Sequence, residues 1–302
     1  MKLRSGRTFR WLGLLGVLIV PYTLVAQKAL PLTQSQACTR FGSAVVRIEA
    51  GGNSRGTGFI VSPDGFILTA SHVVRDASGQ YFAAVAVTLP GGKIKLASPA
   101  VPISVDNFGQ DFALLKVDAD IELPFLSLGS THDVEPGDAG TIIGYPFSAL
   151  TAQGQNVSTK FCLSAEIAAT DIMNVAVNET RPTAKGNFSA ERNVKVDVVY
   201  FQGPSVKGLS GSPIIAKNTG LVIGIVSQKL TGIGNSLEML KGQTGESLGR
   251  GIAISGLEPG KAVNQILTVL DDQLANGLGA AVGIDDPNYA LTKAQKHAKR
   301  GR

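Results

Sequence analysis

The stretch that decides the fold is "GFIVSPDGFILTA", residues 58–70. Two short runs rich in β-branched and aromatic residues flank Pro63-Asp64-Gly65. The proline presets one turn dihedral and the glycine supplies a positive φ, so the pattern predicts an antiparallel hairpin. Further apolar runs bounded by turn residues are "SAVVRIEAG" (43–51), "AAVAVTLPGG" (83–92), "DFALLKV" (111–117), "GTIIGYP" (140–146), "VKVDVVYF" (194–201) and "PIIAKNTGLVIGIVS" (213–227).

This repeated spacing of short strands predicts an all-β fold, a sandwich or a barrel, and argues against βαβ units. The polar stretch "THDVEPGDAG", residues 131–140, is the best break in the middle of the chain. It divides the strands into two groups of comparable size, residues 40–130 and 131–276. We therefore expect two β-domains of similar size.

One long helical pattern stands near the end of the second group. Pro259 suits a first helical turn, apolar residues then recur at helical spacing, and Gly277 can close the helix. We expect the basic residues that follow, 277–302, to form a disordered tail.

The net charge of +5 is concentrated at the two ends of the chain. Nine of the 28 basic residues lie in 1–10 and 287–302, which leaves 19 against 23 acidic residues in the body. The body shows no basic stripe with interleaved aromatic residues, so we expect no nucleic-acid partner. With 302 residues, 44% of them hydrophobic, the chain is long enough to bury a sizeable core.

The basic N-terminus is followed by an apolar run, Trp11–Ala26, that is interrupted by Pro21. A run of this length is short for a membrane span, and its order of basic and apolar regions is that of a secretory signal. We expect residues 1–26 to direct export to the periplasm or the medium, with cleavage before Gln27. The alternative is retention through residues 11–26 as a membrane anchor.

The two cysteines, Cys38 and Cys162, have no metal-binding spacing. In an exported protein they are either bridged or two buried thiols, and the sequence does not decide between these. The histidines, His72, His132 and His297, form no paired-ligand pattern. We expect neither a catalytic metal nor a cofactor.

A serine lies between glycines in "VKGLSGSPI", residues 206–214. Ser210 is there either a turn residue or a nucleophile, and a nucleophilic serine needs a base and an acid that orients the base. His72 is the histidine on apolar scaffold, and Asp111 opens an apolar strand, with Asp106 as a competitor. The backbone N–H groups of Gly208 and Ser210 could hold an oxyanion. The order His, Asp, Ser on an all-β pattern matches one known order of the triad.

Four segments, "ILTASHVV", "DFALLKV", "GLSGSP" and "GIVSQ", resemble the signatures of chymotrypsin-fold serine proteases. They are most similar to the bacterial trypsin-like and HtrA-type branch, over about Cys38 to Leu274. The resemblance implies two six-stranded antiparallel β-barrels packed around a cleft, with a C-terminal α-helix.

By position, the resemblance implies His72 as general base and then acid, Asp111 as the residue that orients it, and Ser210 as nucleophile. It implies Gly208 and Ser210 as the oxyanion hole, and a strand at Ser227 that pairs with the substrate backbone. The chain is thus predicted to be an exported serine endopeptidase that cleaves a protein or peptide substrate through an acyl-enzyme.

Departures from the family pattern qualify this interpretation. Leu209 replaces the aspartate that pairs with a freed N-terminus, so we expect no zymogen activation of that kind. Ser212 replaces a glycine, and Gln228-Lys229 replace an aromatic residue and a glycine. Pro204 lies where trypsin-like members carry the aspartate of the substrate-binding pocket, so cleavage after Lys or Arg is not expected. The residues after Asn276 are too few for a PDZ domain.

The same residues argue against two other classes of protein. An α/β-hydrolase needs G-x-S-x-G and a later histidine, but Ser212 occupies the last position and only His297 follows. "GTG" at residues 56–58 lacks the rest of a dinucleotide fingerprint. The alternative that stays open is a protease-fold peptide-binding protein with a gated or inactive site, since the polar segment 145–200 reads as a solvated loop or a lid.

Overall fold

Short antiparallel strands close into two six-stranded barrels in the structure, which is a computed structural model. The described residues are 30–51, 54–76, 78–99, 111–146, 159–183, 186–229 and 278–300. The predicted leader, the predicted helix at 259–277 and Asp106 lie outside them.

The first barrel has the strand order β1-β2-β3-β6-β5-β4. Its strands are β1 (Val45–Ala50), β2 (Ser54–Ile60), β3 (Phe66–Thr69), β4 (Val85–Thr88), β5 (Ile94–Pro99) and β6 (Ala113–Val117). The hairpin predicted at 58–70 is confirmed, because Phe59 pairs with Leu68 and Ile60 with Ile67. Gly65 turns the chain at φ 96°, where an added Cβ would lie 2.4 Å from the Val117 carbonyl oxygen.

The second barrel has the strand order β10-β11-β12-β9-β8-β7. Its strands are β7 (Ala139–Gly144), β8 (Phe161–Thr183), β9 (Gly186–Gln202), β10 (Pro213–Ala216), β11 (Val222–Lys229) and β12 (Leu278–Gly283). Two helices complete the described chain, α1 (Gln34–Phe41) and α2 (Asp285–Arg300). The predicted fold class, two six-stranded antiparallel barrels with a C-terminal helix, is confirmed.

The expectation of a disordered tail at 277–302 is wrong. Residues 278–283 form β12, which pairs with both β11 and β9 and closes the second barrel beyond its predicted limit of 276. Residues 285–300 form α2, whose Leu291 and Ala294 are buried beside Ile284 in the hydrophobic core. Two apolar residues at i and i+3 anchor this helix, although basic residues are the most numerous charged residues of the tail.

The interpretation of segment 145–200 as a polar loop is wrong for most of its length. Strands β8 and β9 pair from Glu166 with Gln202 to Thr183 with Gly186, with one register shift between Ile167 and Ala169. Within this hairpin, β7 pairs with residues 161–166 and β12 with residues 198–202, and neither strand pairs with the residues between. The rest of the hairpin is therefore a two-stranded ribbon that continues beyond the barrel.

A disulfide bond joins Cys38 to Cys162 and settles the alternative that the sequence left open. Cys38 lies in α1 and Cys162 in β8, so the bond ties the N-terminal helix to the second barrel. The helix begins at a capping box, in which the Thr33 hydroxyl accepts from Gln36 N–H and the Gln36 side chain accepts from Thr33 N–H. The start of the described chain is thus anchored covalently and by its cap.

Candidate active site

His72 lies in a short 3-10 turn, Ser71–Val74, directly after β3. Val73 and Val74 are buried in the core of the first barrel, which holds the turn in place. The imidazole itself remains 48% exposed. The turn thus presents a solvent-accessible ring on a fixed backbone.

Asp111 precedes β6, the strand that pairs with β3 through Thr69 and Ala113. This register brings the carboxylate next to the turn that carries His72. Four donors surround its two oxygens. Oδ1 accepts from the Ser71 hydroxyl at 2.7 Å and from His72 backbone N–H at 3.0 Å. Oδ2 lies 2.6 Å from His72 Nδ1 and accepts from the Ser227 hydroxyl at 2.6 Å.

These contacts keep Asp111 ionised. Burial of the carboxyl raises its pKa, but the hydrogen bond and charge of His72 and the hydroxyls of Ser227 and Ser71 outweigh burial, so the pKa lies below its ordinary value. An ionised carboxylate only accepts hydrogen bonds, so the proton in the short contact belongs to Nδ1 of His72. In the neutral ring Nε2 then carries the free lone pair that a general base needs.

The loop that carries Ser210 is held by both barrels. Gly211 N–H donates to the Val226 carbonyl at 2.7 Å, and Ser212 N–H donates to the Leu209 carbonyl at 2.9 Å. The Leu209 side chain is fully buried in the core of the second barrel. Leu209 therefore anchors the loop through packing. It stands where the family pattern has an aspartate that pairs with a freed N-terminus.

Gly211 shows how closely this loop approaches the first barrel. Its φ is 86°, and an added Cβ would lie 2.0 Å from the Thr57 carbonyl oxygen and 2.3 Å from Thr69 Oγ1. An added Cβ at Gly56 would likewise meet Val73 at 2.6 Å and the Ser210 carbonyl oxygen at 3.1 Å. The backbone at Gly211 thus packs on Thr57, Thr69 and Ala70, just before the turn that carries His72.

The loop also presents two N–H groups in the region expected for the oxyanion hole. In the described part of the chain, no acceptor is present for the backbone N–H of Gly208 or Ser210. Likewise, no hydrogen bond joins Ser210 Oγ to His72 among the described residues. The structure therefore brings His72 and Asp111 into contact and places Gly211, the residue after Ser210, against Ala70, two residues before His72.

Ser227 and Pro204 were predicted to bind substrate. Ser227 lies at a β-bulge in β11, where the pairing with β12 skips from Val226 to Gln228. A bulge redirects a side chain, and the Ser227 hydroxyl contacts Asp111. Pro204 lies half-buried in the connection between β9 and β10. A substrate-binding role for either residue stays a prediction.

Sequence reasoning missed the hydroxyl donors to Asp111. The signal for Ser71 was its place immediately before His72, but a hydroxyl residue beside a histidine is too common to be specific. The Ser227 contact depends on a bulge between distant strands, which leaves no local pattern. Ser212, which departs from the family glycine, is fully buried, and its Oγ occupies space that a Cβ at Gly144 would reach at 2.1 Å.

The described residues contain no group of three or more His, Cys, Asp or Glu side chains placed to hold a metal ion. None of the helices in the described part of the chain is long and apolar enough to cross a membrane.

The fold and site define a chymotrypsin-like barrel protein, and comparison with known proteins identifies its family. A profile of the trypsin-like peptidase domain matches residues 56–225, more than half of the chain. The chain therefore belongs to the trypsin-like peptidase domain family, and the resemblance to HtrA-type proteases is confirmed.

Individual relatives are similar at moderate identity. A protein named "Probable periplasmic serine endoprotease DegP-like" from Chlamydia pneumoniae is 29% identical over 244 residues, 80% of this chain and 40% of the relative. Serine protease HTRA1B from Danio rerio is 32% identical over 177 residues, 58% of this chain and 30% of the relative. The chain thus aligns with well under half the length of these relatives.

A structural comparison finds Rv3671c from M. tuberculosis H37Rv, in the inactive form of a serine-to-alanine mutant. It covers 89% of this chain and 97% of its own, with 20% sequence identity and a TM-score of 0.49.

Proposed function

We propose that this chain is an exported serine endopeptidase that hydrolyses peptide bonds through an acyl-enzyme. The observation that carries the proposal is the 2.6 Å contact between His72 Nδ1 and an Asp111 carboxylate with four donors. A barrel fold does not need four donors on one carboxylate, since a neutral residue at this position could pack equally well. They do orient an imidazole with its Nε2 free.

Ser210 is the nucleophile in this proposal. Nε2 of His72 takes the proton from Ser210 Oγ as the oxygen attacks the carbonyl carbon of the substrate. The imidazolium formed is stabilised by Asp111 and returns its proton to the leaving amine, which departs as the acyl-enzyme forms. Water then repeats the sequence through His72 and releases the new carboxyl product and Ser210.

The backbone N–H groups of Gly208 and Ser210 hold the oxyanion in both steps. Donors that are fixed before the reaction act on charge that develops only in the transition state. Support for this role comes from the packing of the loop on both barrels and from the lack of an acceptor for either N–H among the described residues.

Export and substrate preference complete the proposal. The disulfide bond suits an oxidising compartment, and the name of the Chlamydia relative includes the word periplasmic. We place the protein in the periplasm or the medium, with residues 1–26 as its leader. Pro204 provides no negative charge for a basic side chain, so the enzyme is proposed not to prefer Lys or Arg, while the strand at Ser227 pairs with the substrate backbone.

A second candidate is a peptide-binding protein with a gated or inactive site. It is favoured by one observation, the lack of a hydrogen bond between Ser210 and His72 among the described residues. A chain in this state binds peptides along the same strand, and cleaves only after the serine moves into reach of the base.

Proteolysis of a denatured protein in 18O-labelled water distinguishes the two candidates. The full chain is incubated with reduced, alkylated α-lactalbumin, and the fragments are read by mass spectrometry. We expect internal fragments with labelled new carboxyl groups from the wild type and from Ser98→Ala, an exposed serine on β5. Ser210→Ala and His72→Ala should produce none. Equal cleavage by wild type and Ser210→Ala contradicts the proposal, and binding without cleavage favours the second candidate.

A further inference from the structure

Thr57 in β2 connects the first barrel to the loop that carries Ser210. The residue is fully buried, and each of its polar atoms has a partner. Its N–H donates to the Ser210 carbonyl at 2.9 Å, and its carbonyl accepts from Thr69 Oγ1 at 2.7 Å. Its hydroxyl donates to the Gly208 carbonyl at 2.8 Å and accepts from Tyr145 N–H at 2.9 Å. Three of these four bonds reach residues outside the first barrel.

These bonds hold two peptide units of the loop at both of their ends. The Gly208–Leu209 unit is held by the Thr57 hydroxyl on its carbonyl and by the Val206 carbonyl on its N–H, at 2.8 and 3.1 Å. The Ser210–Gly211 unit is held by Thr57 N–H on its carbonyl and by the Val226 carbonyl on its N–H, at 2.9 and 2.7 Å. Neither unit can rotate without breaking two hydrogen bonds.

The Leu209–Ser210 peptide unit lies between these two units, and its N–H is that of Ser210. Its carbonyl, that of Leu209, accepts from Ser212 N–H at 2.9 Å. In a planar trans peptide the N–H points away from the carbonyl, so the Ser210 N–H faces the opposite direction, free of a described acceptor. The bonds of Thr57 therefore determine the orientation of a proposed oxyanion donor that Thr57 does not touch.

We infer that the hydroxyl of Thr57 is a positioning group for the oxyanion hole, joining the barrel of the general base to the loop of the nucleophile. The inference rests on the proposed function for its catalytic meaning. Its structural part, that this hydroxyl holds the loop between Val206 and Ser212, stands on the hydrogen bonds alone. Thr57 is the central residue of "GTG", residues 56–58, which lacks the rest of a dinucleotide-binding fingerprint.

The space on both sides of Thr57 admits only glycine, beside Val73 and the loop at Gly56 and within the first barrel at Gly58. An added Cβ at Gly56 would lie 3.1 Å from the Ser210 carbonyl oxygen. An added Cβ at Gly58 would meet Ile48 at 2.7 Å and the Leu68 carbonyl oxygen at 3.1 Å. Thr57 is thus the one residue of the three with a side chain, and that side chain carries a hydroxyl used as donor and acceptor at once.

The test compares three substitutions in the full chain. Thr57→Val keeps the shape and removes the hydroxyl, Thr57→Ser keeps the hydroxyl, and Thr141→Val is the matched control. Thr141, in β7, is also fully buried, and its hydroxyl donates to Gln34 Oε1 at 3.2 Å. If Thr57→Val fails to fold, as judged by circular dichroism, Thr57→Ala replaces it.

The first readout is the second-order rate of labelling by a fluorophosphonate probe, whose phosphoryl oxygen needs the same donors as an acyl oxyanion. We expect Thr57→Val to be about 10- to 100-fold slower than wild type, because small displacements of catalytic groups cost rates of this order. Thr57→Ser should stay within about threefold, and Thr141→Val should match the wild type. Unchanged labelling of folded Thr57→Val overturns the catalytic part.

The second readout, hydrogen exchange of the amides of Leu209 and Gly211 by mass spectrometry, does not depend on activity. Thr57→Val should accelerate exchange in a peptide that covers residues 202–212, and Thr57→Ser and Thr141→Val should not. Equal exchange in all four proteins overturns the inference, whether or not the wild type is labelled. A wild type that is never labelled, with accelerated exchange in Thr57→Val, contradicts the proposed function and supports the positioning role of the hydroxyl.

Discussion

Replacing Gly211 by alanine tests the close approach of the nucleophile loop to the first barrel. The matched control is Gly137→Ala, because Gly137 has a similar φ of 91° but an added Cβ there meets nothing within 4 Å. A side chain in this left-handed region costs about 1–2 kcal/mol, partly offset by about 0.4–1 kcal/mol from the less flexible unfolded chain. The control should therefore lose about 1 kcal/mol of unfolding free energy.

Gly211→Ala carries the same strain and a collision in addition. Its Cβ would lie 2.0 Å from the Thr57 carbonyl oxygen and 2.3 Å from Thr69 Oγ1, and the first of these is backbone within a strand. The loop must withdraw, which breaks the bonds from Thr57 N–H to the Ser210 carbonyl and from Gly211 N–H to the Val226 carbonyl. A hydrogen bond contributes a net of about 0.5–1.5 kcal/mol, so the strain and the two lost bonds together should cost about 2–4 kcal/mol.

Urea unfolding measures both variants against wild type, with the slope on denaturant as a check that the same transition is compared. Fluorophosphonate labelling of the folded fraction reports the site, and it should be lost in Gly211→Ala and retained in Gly137→Ala. If Gly211→Ala is destabilised no more than Gly137→Ala, the loop does not press on Thr57 and the geometry of the site is wrong.

Three further predictions follow from the carboxylate and the disulfide bond. Because the pKa of Asp111 is lowered in the folded protein, its charge stabilises the fold above the ordinary pKa of 3.8, and this contribution is lost as the pH falls further. Urea unfolding between pH 7 and 3 should therefore show a steeper loss of unfolding free energy on acidification for wild type than for Asp111→Asn. Parallel dependence of the unfolding free energy on pH in the two proteins contradicts this. Ser227→Ala removes one of the four donors to Asp111 and should slow fluorophosphonate labelling by about three- to thirtyfold without preventing folding. A hydrogen bond to a charged group contributes about 1.5–3 kcal/mol, and the other donors compensate in part. An unchanged labelling rate would mean that the hydroxyl has no role in orienting the proposed triad. Replacing Cys38 and Cys162 together by serine removes a disulfide bond between residues 124 positions apart and should lower the free energy of unfolding by about 2–5 kcal/mol. Reductant should lower the urea midpoint of wild type to that of the double variant. Equal urea midpoints for oxidised wild type and the double variant contradict a stabilising bond.

The sequence predicted best the features that local chemistry determines. The hairpin at 58–70 depends on its own turn residues and on alternating apolar residues, and it forms as predicted. Strand β12 and helix α2 were missed because their apolar residues are small and few, and their burial depends on strands and core residues distant in the sequence. The ribbon of β8 and β9 was missed because its polar residues are typical of a loop, while the extended pairing of two strands overrides that composition.

The candidate site shows the same division. His72, Asp111 and Ser210 were predicted because each stands in a recognisable local segment. The donors that contact Asp111 and the loop, Ser71, Ser227 and Thr57, act across strands that the chain brings together only on folding. A short sequence pattern can therefore predict candidate reacting groups, whereas the donors around them become visible only in the three-dimensional contacts.

The measurement that tests the central claim most directly is the site of fluorophosphonate labelling in the full-length wild-type chain. The labelled protein is digested and the modified residue is mapped by mass spectrometry, with His72→Ala and Asp111→Asn treated in parallel. We expect one label per molecule, on Ser210, and strongly slowed labelling in both variants. A folded wild type that stays unlabelled, or a label that remains on Ser210 at the same rate without His72, contradicts the claim that His72 and Asp111 activate this serine.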